Sequence, residues 1–253
     1  MTEMDFERRF GGIARLYGAD RLARLSAAHV CVVGIGGVGS WAVEALARSG
    51  VGRLTLVDLD HVAESNLNRQ IHALDGTLGQ AKVLAMANRI GQINPDCRVR
   101  TIEDFVTPDN VQDIVPDCDA LVDAIDQLKP KVALVAHCRR QGLAVVTTGA
   151  AGGKTDPAQI RVDDLARSSH DPLAARLRAE LRRNHGFPRD AKAPFGVDCV
   201  FSLEPVRRPA AAACEAGEGA PQGLSCAGYG SSVCVTGAFG FAAAGRVLAI
   251  LGR

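Results

Sequence analysis

The most chemically suggestive stretch of this sequence is the glycine-rich segment Gly34-Ile35-Gly36-Gly37-Val38-Gly39. It fits the spacing G-x-G-x-x-G, follows a short apolar run over 30–33 and precedes apolar residues at helical spacing. A second apolar run ends at Asp58, roughly 20 residues beyond the glycines. Glycines let the backbone approach a phosphate, a helix N-terminus attracts its charge, and a carboxylate accepts hydrogen bonds from ribose hydroxyls. The pattern therefore predicts a nucleotide site formed by Gly34, Gly36, Gly37, Gly39 and Asp58.

Two cations follow at positions from which they could face the same nucleotide. Arg69 is the strong cation of the polar segment over 65–70, and Lys82 lies in the first turn of a helix predicted over 79–93. A lysine in the first helical turn opposes the helix dipole. Either a nearby anion compensates Lys82, or its side chain extends along the surface into solvent.

A second acid, Asp126, follows an apolar strand predicted over 120–122. Because the carboxyl ends of strands in a doubly wound sheet line one ligand crevice, we expect Asp126 to converge with Asp58. Cations and an acid around a triphosphate suit the attack of a carboxylate on the α-phosphate of ATP. The cations offset growing negative charge, and magnesium assists the leaving pyrophosphate. A dehydrogenase would need a base or oxyanion partner beside the nicotinamide, and no residue is indicated for that role.

The elements that must position these residues alternate between strand and helix patterns. After the glycine unit, predicted strands fall at 98–102, 120–122 and 143–147, with predicted helices at 79–93, 108–115 and 129–140. This alternation predicts an α/β fold with a Rossmann-like, doubly wound and mostly parallel sheet. A strand over 159–162, outside the parallel set, would make an antiparallel C-terminal extension.

We expect one domain that uses all 253 residues. Its parts would be an N-terminal arm and helix (1–29), a nucleotide-binding core (30–155), a substrate-facing extension (156–230) and a C-terminal helix (231–253). The extension contains a low-complexity loop over 209–223. The longest apolar run, over 233–245, is too short for the roughly 20 residues of a membrane span, so a buried or dimer-packing helix is the simpler interpretation.

The charge balance limits the kinds of partner. A formal net charge of +1 provides no general nucleic-acid coat and gives no reason to expect DNA binding, so a nucleic-acid partner must use a local patch. One such patch exists, because residues 176–192 contain six Arg or Lys and two acids. It is either a solvated helix face or a nucleic-acid contact made by Arg176, Arg178, Arg182 and Arg183.

The eight cysteines form no C-x-x-C pair, so a structural zinc site is not expected. The charged N-terminus lacks the apolar region of a secretory signal, which favours reduced thiols and a cytoplasmic location. Candidates for a chemically active thiol are Cys199, Cys226 and Cys234, and inert buried or loop thiols are the alternative.

Five motifs occur together: Gly34-x-Gly36-Gly37-x-Gly39, Asp58-x-Asp60, Ser65-Asn66-Leu67-Asn68-Arg69-Gln70, Gly79-Gln80-Ala81-Lys82 and Asp123-Ala124-Ile125-Asp126. Over about residues 6–155 they resemble the ubiquitin-activating-type adenylating enzymes, the ThiF superfamily. The resemblance implies ATP and Mg²⁺ as cofactors, with Asp58 on the ribose and Asp126 helping to bind Mg²⁺. It also implies a homodimer in which Arg9 reaches the ATP of the partner. The other implied nucleotide ligands are Asp60, Asn66, Arg69, Gln70 and Lys82.

Four further stretches, 9–12, 68–74, 104–110 and 196–202, resemble one branch of that superfamily, the tRNA threonylcarbamoyladenosine dehydratases. The implied reaction adenylates the threonyl carboxylate of the modified adenosine beside the anticodon. The neighbouring carbamoyl group then displaces AMP and closes a ring. The resemblance implies tRNA as the substrate, favours the basic cluster as its contact, and associates a cysteine desulfurase system with the branch.

Two other functions stay open at this stage. One is an adenylating enzyme for a small sulfur-carrier protein, although such enzymes usually hold zinc through two C-x-x-C pairs that this sequence lacks. The other is a non-catalytic nucleotide-binding partner in a sulfur-transfer complex.

Overall fold

A computed structural model describes residues 5–190, 192–207 and 229–252. The low-complexity loop predicted over 209–223 lies outside these ranges, and so does Cys226. The strands of the described chain are β1 (His29–Val33), β2 (Arg53–Val57), β3 (Arg98–Ile102), β4 (Ala120–Asp123), β5 (Ala144–Thr148), β6 (Ile160–Asp164) and β7 (Asp198–Ser202).

These strands form one sheet in the order β3-β2-β1-β4-β5-β7-β6. All neighbouring pairs are parallel except β6 and β7, which are antiparallel. The prediction of a mostly parallel, Rossmann-like sheet with an antiparallel extension is therefore confirmed. The order reverses between β1 and β4, which is where ligands bind in such sheets.

The α-helices of the described chain are α1 (Phe6–Tyr17), α2 (Ala19–Ala27), α3 (Gly39–Arg48), α4 (Lys82–Ile93), α5 (Val111–Ile114), α6 (Leu128–Gln141), α7 (Pro172–Asn184) and α8 (Val233–Leu251). The N-terminal region differs from the predicted arm and single helix. It forms two helices, and the chain breaks between them at Gly18, whose φ of 96° lies outside the helical region.

Two apolar cores cover the two faces of the sheet. Val30 and Val32 of β1 belong to the core formed with α3, α4 and α8. The alternate residues Cys31 and Val33 belong to the core formed with α5, α6 and α7. Successive strand residues point to opposite faces, so a strand segment buried on both sides must be apolar, as residues 30–33 of β1 are.

Helix α8 is the C-terminal helix that the apolar run over 233–245 predicts. By length and composition alone it could cross a membrane, but half of its most apolar window is buried inside the protein. It packs against α3, where the ring of Trp41 meets Phe241 edge-on at a centroid distance of 5.7 Å. We therefore describe α8 as a core helix that covers one face of the sheet.

Candidate active site

The glycine segment makes the tight turn between β1 and α3. Gly34 has a φ of +88°, a left-handed conformation that favours glycine. A Cβ atom on Gly39 would lie 1.8 Å from the carbonyl oxygen of Gly34, so a residue with a side chain would clash with the backbone at this position. Helix α3 consequently begins directly behind the turn, and its free N–H groups face the ligand edge of the sheet.

Asp58 lies at the end of β2 and is fixed beside this turn by the backbone. Its Oδ2 accepts a hydrogen bond from the Ile35 N–H at 2.6 Å, and its Oδ1 accepts one from the Asp60 N–H at 2.9 Å. Burial raises the pKa of Asp58, and nearby Lys82 opposes that shift. Each carboxylate oxygen can accept a further bond, so the group can also hold ribose hydroxyls.

Arg69 lies over the glycine turn. A Cβ atom on Gly37 would be 3.2 Å from the Arg69 Cδ, which places the aliphatic part of this half-buried side chain against the turn. The indole N–H of Trp41 donates to the Arg69 carbonyl oxygen at 2.9 Å, and the guanidinium donates to the Ser65 carbonyl at 2.6 Å. The aliphatic part of Arg69 therefore lies against the predicted phosphate site, while its guanidinium is bonded to residues of the 65–70 segment.

Lys82 is the first residue of α4, and its compensating anion is Asp60. The Lys82 Nζ lies 2.7 Å from the Asp60 Oδ2, and the lysine side chain is only 7% exposed whereas Asp60 is 57% exposed. The anion expected near Lys82 is therefore a carboxylate of the same chain, that of Asp60. Because Asp60 remains accessible, an incoming phosphate could bind the Lys82 ammonium together with Asp60 or in its place.

Two polar side chains of the 65–70 segment are buried. The Asn66 Oδ1 accepts a hydrogen bond from the Ala63 N–H at 3.1 Å and so holds the local turn. The Gln70 amide lies near Gly36, and its Oε1 has no hydrogen-bond partner within the described residues. Asn66 is thus already engaged by the backbone, whereas Gln70 retains a free acceptor beside the turn.

Asp126 lies three residues beyond Asp123, the last residue of β4, and is half-buried. Together with the turn after β1 and Asp58 after β2, it occupies the carboxyl edge of the sheet. Below it lies a fully buried ion pair between Asp123 and Lys131 of α6, at 2.7 Å. Sequence reasoning missed this pair, although a lysine inside an apolar helix was a signal that could have indicated it.

Arg9 lies away from this edge. Its Nη1 donates to the carbonyl oxygens of Ile93 at 2.8 Å and Gln92 at 3.5 Å, at the C-terminal end of α4. Lys82 begins the same helix of 12 residues, so its length, about 18 Å, separates Arg9 from Lys82 along the axis. Within one chain, Arg9 therefore cannot join Lys82 at a phosphate.

The sequence matches the model of the ThiF family over residues 10–252. The chain belongs to the ThiF family.

Among similar proteins, the tRNA threonylcarbamoyladenosine dehydratase of Escherichia coli is 51% identical over 249 residues, which cover 96% of this chain and 93% of that protein. The protein of the same name from Haemophilus influenzae is 46% identical, over 98% of this chain and 95% of its own length. A crystal structure of the E. coli tRNA N6-threonylcarbamoyladenosine dehydratase in complex with ATP matches with a TM-score of 0.88 and 48% identity. The match covers 99% of this chain and 96% of that one.

The basic cluster of this ThiF family member divides into two pairs on α7. Arg178 donates to the carbonyl and hydroxyl oxygens of Ser168, and burial lowers its pKa. Arg182 donates to the Pro188 carbonyl at 3.1 Å and lies over the ring of Phe195. Both stabilise the extension from within. The exposed members, which remain available to a partner, are Arg176 and Arg183.

The cysteine candidates differ sharply in accessibility. Cys199 on β7 is fully buried, and burial raises the pKa of its thiol well above the usual range. An accessible or reactive role does not fit that environment, since a reactive thiol must be exposed and ionised. Cys234, in the first turn of α8, is exposed.

His72 is a buried residue of the site region that sequence reasoning did not select. It is 2% exposed, and neither ring nitrogen has a hydrogen-bond partner in the described parts of the chain. Burial, reinforced by the charges of Lys82 and Arg89, lowers its pKa to about 4. The ring is therefore neutral at physiological pH, and protonating it would place an unpaired charge beside Lys82.

This shift predicts a loss of stability in mild acid. The unfolded chain binds a proton near pH 6.5 and the folded chain near pH 4, so stability present above pH 6.5 falls as the pH drops between these values. At pH 5 the loss in the free energy of unfolding should be about 2 kcal/mol.

His72→Phe should reduce the fall in Tm between pH 7 and pH 5, measured by calorimetry. His185→Phe is the control because that ring is exposed. Equal slopes for wild type and His72→Phe would contradict the assignment.

Proposed function

We propose that this protein is an ATP-dependent tRNA threonylcarbamoyladenosine dehydratase. The observation that carries the proposal is near-full-length similarity to proteins of that name, at 51% and 46% identity. The site geometry agrees with adenylation. A glycine turn, an acid fixed beside it, and two cations lie at one edge of the sheet, and the E. coli relative was solved in complex with ATP and with AMP.

In the first step, a threonyl carboxylate oxygen attacks the α-phosphorus of ATP, and the bond to the bridging oxygen of pyrophosphate breaks. Arg69 and Lys82 would stabilise the negative charge that grows on the phosphates. Asp58 would hold the ribose, and the N–H groups at the start of α3 would face the phosphates. These fixed charges offset the repulsion between a carboxylate and a triphosphate.

In the second step, the carbamoyl group of the same modified nucleoside attacks the activated carbonyl carbon. AMP leaves, a proton is lost from the nucleophile, and the ring closes with a net loss of water. Because nucleophile and electrophile belong to one substrate, their proximity supplies much of the rate and no thiol of the protein has to react. The burial of Cys199 is consistent with such a reaction.

The donor set at Asp126 fits Mg²⁺ held through ATP. Among the described residues, no group of three His, Cys, Asp or Glu side chains is arranged to hold a metal. Magnesium commonly binds one or two carboxylates and the phosphates of its nucleotide, which matches a carboxylate at the ligand edge of the sheet. When bound, Mg²⁺ would neutralise the charge of the leaving pyrophosphate.

The decisive test of this function is a nucleoside assay. Protein, ATP and Mg²⁺ are incubated with threonylcarbamoylated tRNA, and the digested nucleosides are analysed by mass spectrometry. We expect two products: a nucleoside lighter by one water, and an equivalent amount of AMP.

Arg69→Ala and Lys82→Ala should each lower the rate at least 100-fold, whereas Arg100→Ala, at an exposed residue of β3, should leave the rate unchanged. Absence of both products with wild-type protein would refute the proposal.

We also propose that Arg176 and Arg183 contact tRNA phosphates. Both are exposed on α7, and phosphate contacts give sequence-independent affinity that falls with salt. The double variant Arg176→Ala/Arg183→Ala should weaken tRNA binding and reduce its salt dependence without changing ATP affinity. The matched control is Arg98→Ala/Arg100→Ala, at the opposite edge of the sheet. Fluorescence anisotropy at several salt concentrations measures both, and equal losses for the two pairs would contradict a specific contact.

We further propose that the enzyme is a cytoplasmic homodimer in which Arg9 serves the nucleotide of the partner. The support is geometric, because Arg9 lies at the far end of α4 from Lys82 and cannot reach its own nucleotide. An arginine that completes a neighbouring site can strongly stabilise the charge developed in phosphoryl transfer.

Mixing two inactive variants tests this arrangement. Arg9→Ala lacks the arginine and Lys82→Ala lacks the lysine, so a mixed dimer contains one site with both residues intact. After subunit exchange, an equal mixture should recover about a quarter of the wild-type rate of AMP release, since half the dimers are mixed and each has one complete site. Sedimentation of the mixture verifies that dimers form. If the mixture stays inactive although the dimers exchange, Arg9 does not act on the partner's site.

A further inference from the structure

A fully buried polar group lies beneath the loop that carries Asp126. The Lys131 Nζ lies 2.7 Å from the Asp123 Oδ2 and 3.1 Å from the Thr147 Oγ1. The Thr147 hydroxyl in turn donates to the same Asp123 Oδ2 at 2.6 Å. All three side chains are 0% exposed. Three polar groups, two of them charged, are thus closed off from solvent at the ends of β4 and β5.

Stability alone is a poor explanation for such a group. Removing two charges from water is costly, and the attraction between them repays that cost only with good geometry and additional hydrogen bonds. Apolar residues of similar volume often replace a buried ion pair without loss of stability. A group of this kind is better explained by the backbone that it holds in one conformation.

The backbone held in this case is the start of the loop that carries Asp126. The Asp123 Oδ1 accepts a hydrogen bond from the Ile125 N–H at 3.2 Å. The Asp123 carbonyl oxygen accepts bonds from Lys131 at 3.5 Å and from the Thr148 hydroxyl at 3.3 Å. Both the side chain and the main chain of Asp123 are therefore fixed, and Asp126 follows immediately after Ile125.

The opposite side of the same loop rests on the glycine turn. The Ala124 N–H donates to the Val33 carbonyl oxygen at 2.9 Å, and a Cβ atom on Gly34 would lie 2.9 Å from the Ala124 carbonyl oxygen. Residues 123–125 are thus confined between the turn that would cradle the phosphates and the buried ion pair. Movement of this loop would change the distance between Asp126 and the phosphates.

We propose that Asp123, Lys131 and Thr147 are positioning residues that set the location of Asp126 relative to the glycine turn, and thereby the affinity for ATP with its Mg²⁺. This inference rests on the proposed function, which assigns Asp126 to the Mg²⁺–nucleotide site. The three side chains act through the loop and touch neither substrate nor nucleotide. Groups that orient a metal-binding side chain typically alter metal affinity by roughly 10- to 100-fold when they are removed.

The test variant is Thr147→Val, which keeps the volume of the side chain and removes the hydroxyl from the group. Calorimetric titration of the full-length protein measures the affinity for ATP with Mg²⁺ and, separately, for AMP without Mg²⁺. We expect the ATP–Mg²⁺ affinity to fall about tenfold and the AMP affinity to stay unchanged, because Asp58 and the glycine turn are intact. Thr147→Ser, which restores the hydroxyl, should recover wild-type ATP–Mg²⁺ binding.

The matched control is Thr55→Val in β2. Thr55 is also fully buried in the sheet, and its hydroxyl is bonded to the His29 ring at 2.9 Å, away from the ligand edge. It should leave both affinities unchanged. If Thr147→Val does not fold, Asp123→Asn/Lys131→Met removes both charges together and should show the same selective loss.

Wild-type ATP–Mg²⁺ affinity in the Thr147 variant, or an equal loss of AMP and ATP binding, would overturn the positioning role. Asp126→Asn separates this outcome from failure of the proposed site. If wild type binds no ATP, or if Asp126→Asn binds ATP–Mg²⁺ as tightly as wild type, the site assignment itself fails. A selective loss in Asp126→Asn with none in Thr147→Val overturns only the inference about the buried group.

Discussion

The site depends on the close approach of backbone to backbone at the turn after β1. Gly39 leaves no room for a side chain against the Gly34 carbonyl, and Gly34 leaves little room against the loop after β4. The Ile35 N–H at the same turn donates to Asp58 at the end of β2. One tight turn therefore sets the relative positions of three strand ends, and a Cβ atom at either glycine would displace all of them together.

Two ion pairs at the ligand edge of the sheet differ in how accessible they are. Lys82 is almost buried but is neutralised by Asp60, which remains more than half exposed. A buried ammonium without a partner would be costly, so the pairing with Asp60 stabilises Lys82 in its buried position. Below the loop that carries Asp126, Lys131 and Asp123 neutralise each other, and both side chains are fully buried. The accessible pair can exchange partners with a ligand, whereas the inaccessible pair can only hold the backbone.

The extension beyond the parallel sheet uses its positive charges in two ways. Arg178 and Arg182 bind carbonyl oxygens and an aromatic ring inside the extension. Loss of Arg178 would leave the buried Ser168 acceptors unpaired. Arg176 and Arg183 lie on the exposed side of the same helix, where Arg183 is paired with Glu180 at 3.0 Å. Helical spacing explains the division, since residues at different angular positions on one helix face core and solvent.

The sequence by itself determined the sheet, the turn at Gly34 to Gly39 and the placement of Asp58 and Asp126 at strand ends, because apolar periodicity and glycine spacing act over short stretches. The limits of β3, Arg98–Ile102, agree with the prediction, for the same reason. Only the tertiary structure decided that Lys82 pairs with Asp60, that Arg9 binds the far end of α4, that Cys199 is sealed in the core, and that Asp123 and Lys131 form a buried pair. Those outcomes depend on which side chains packing brings together from distant segments, and no local pattern encodes that proximity.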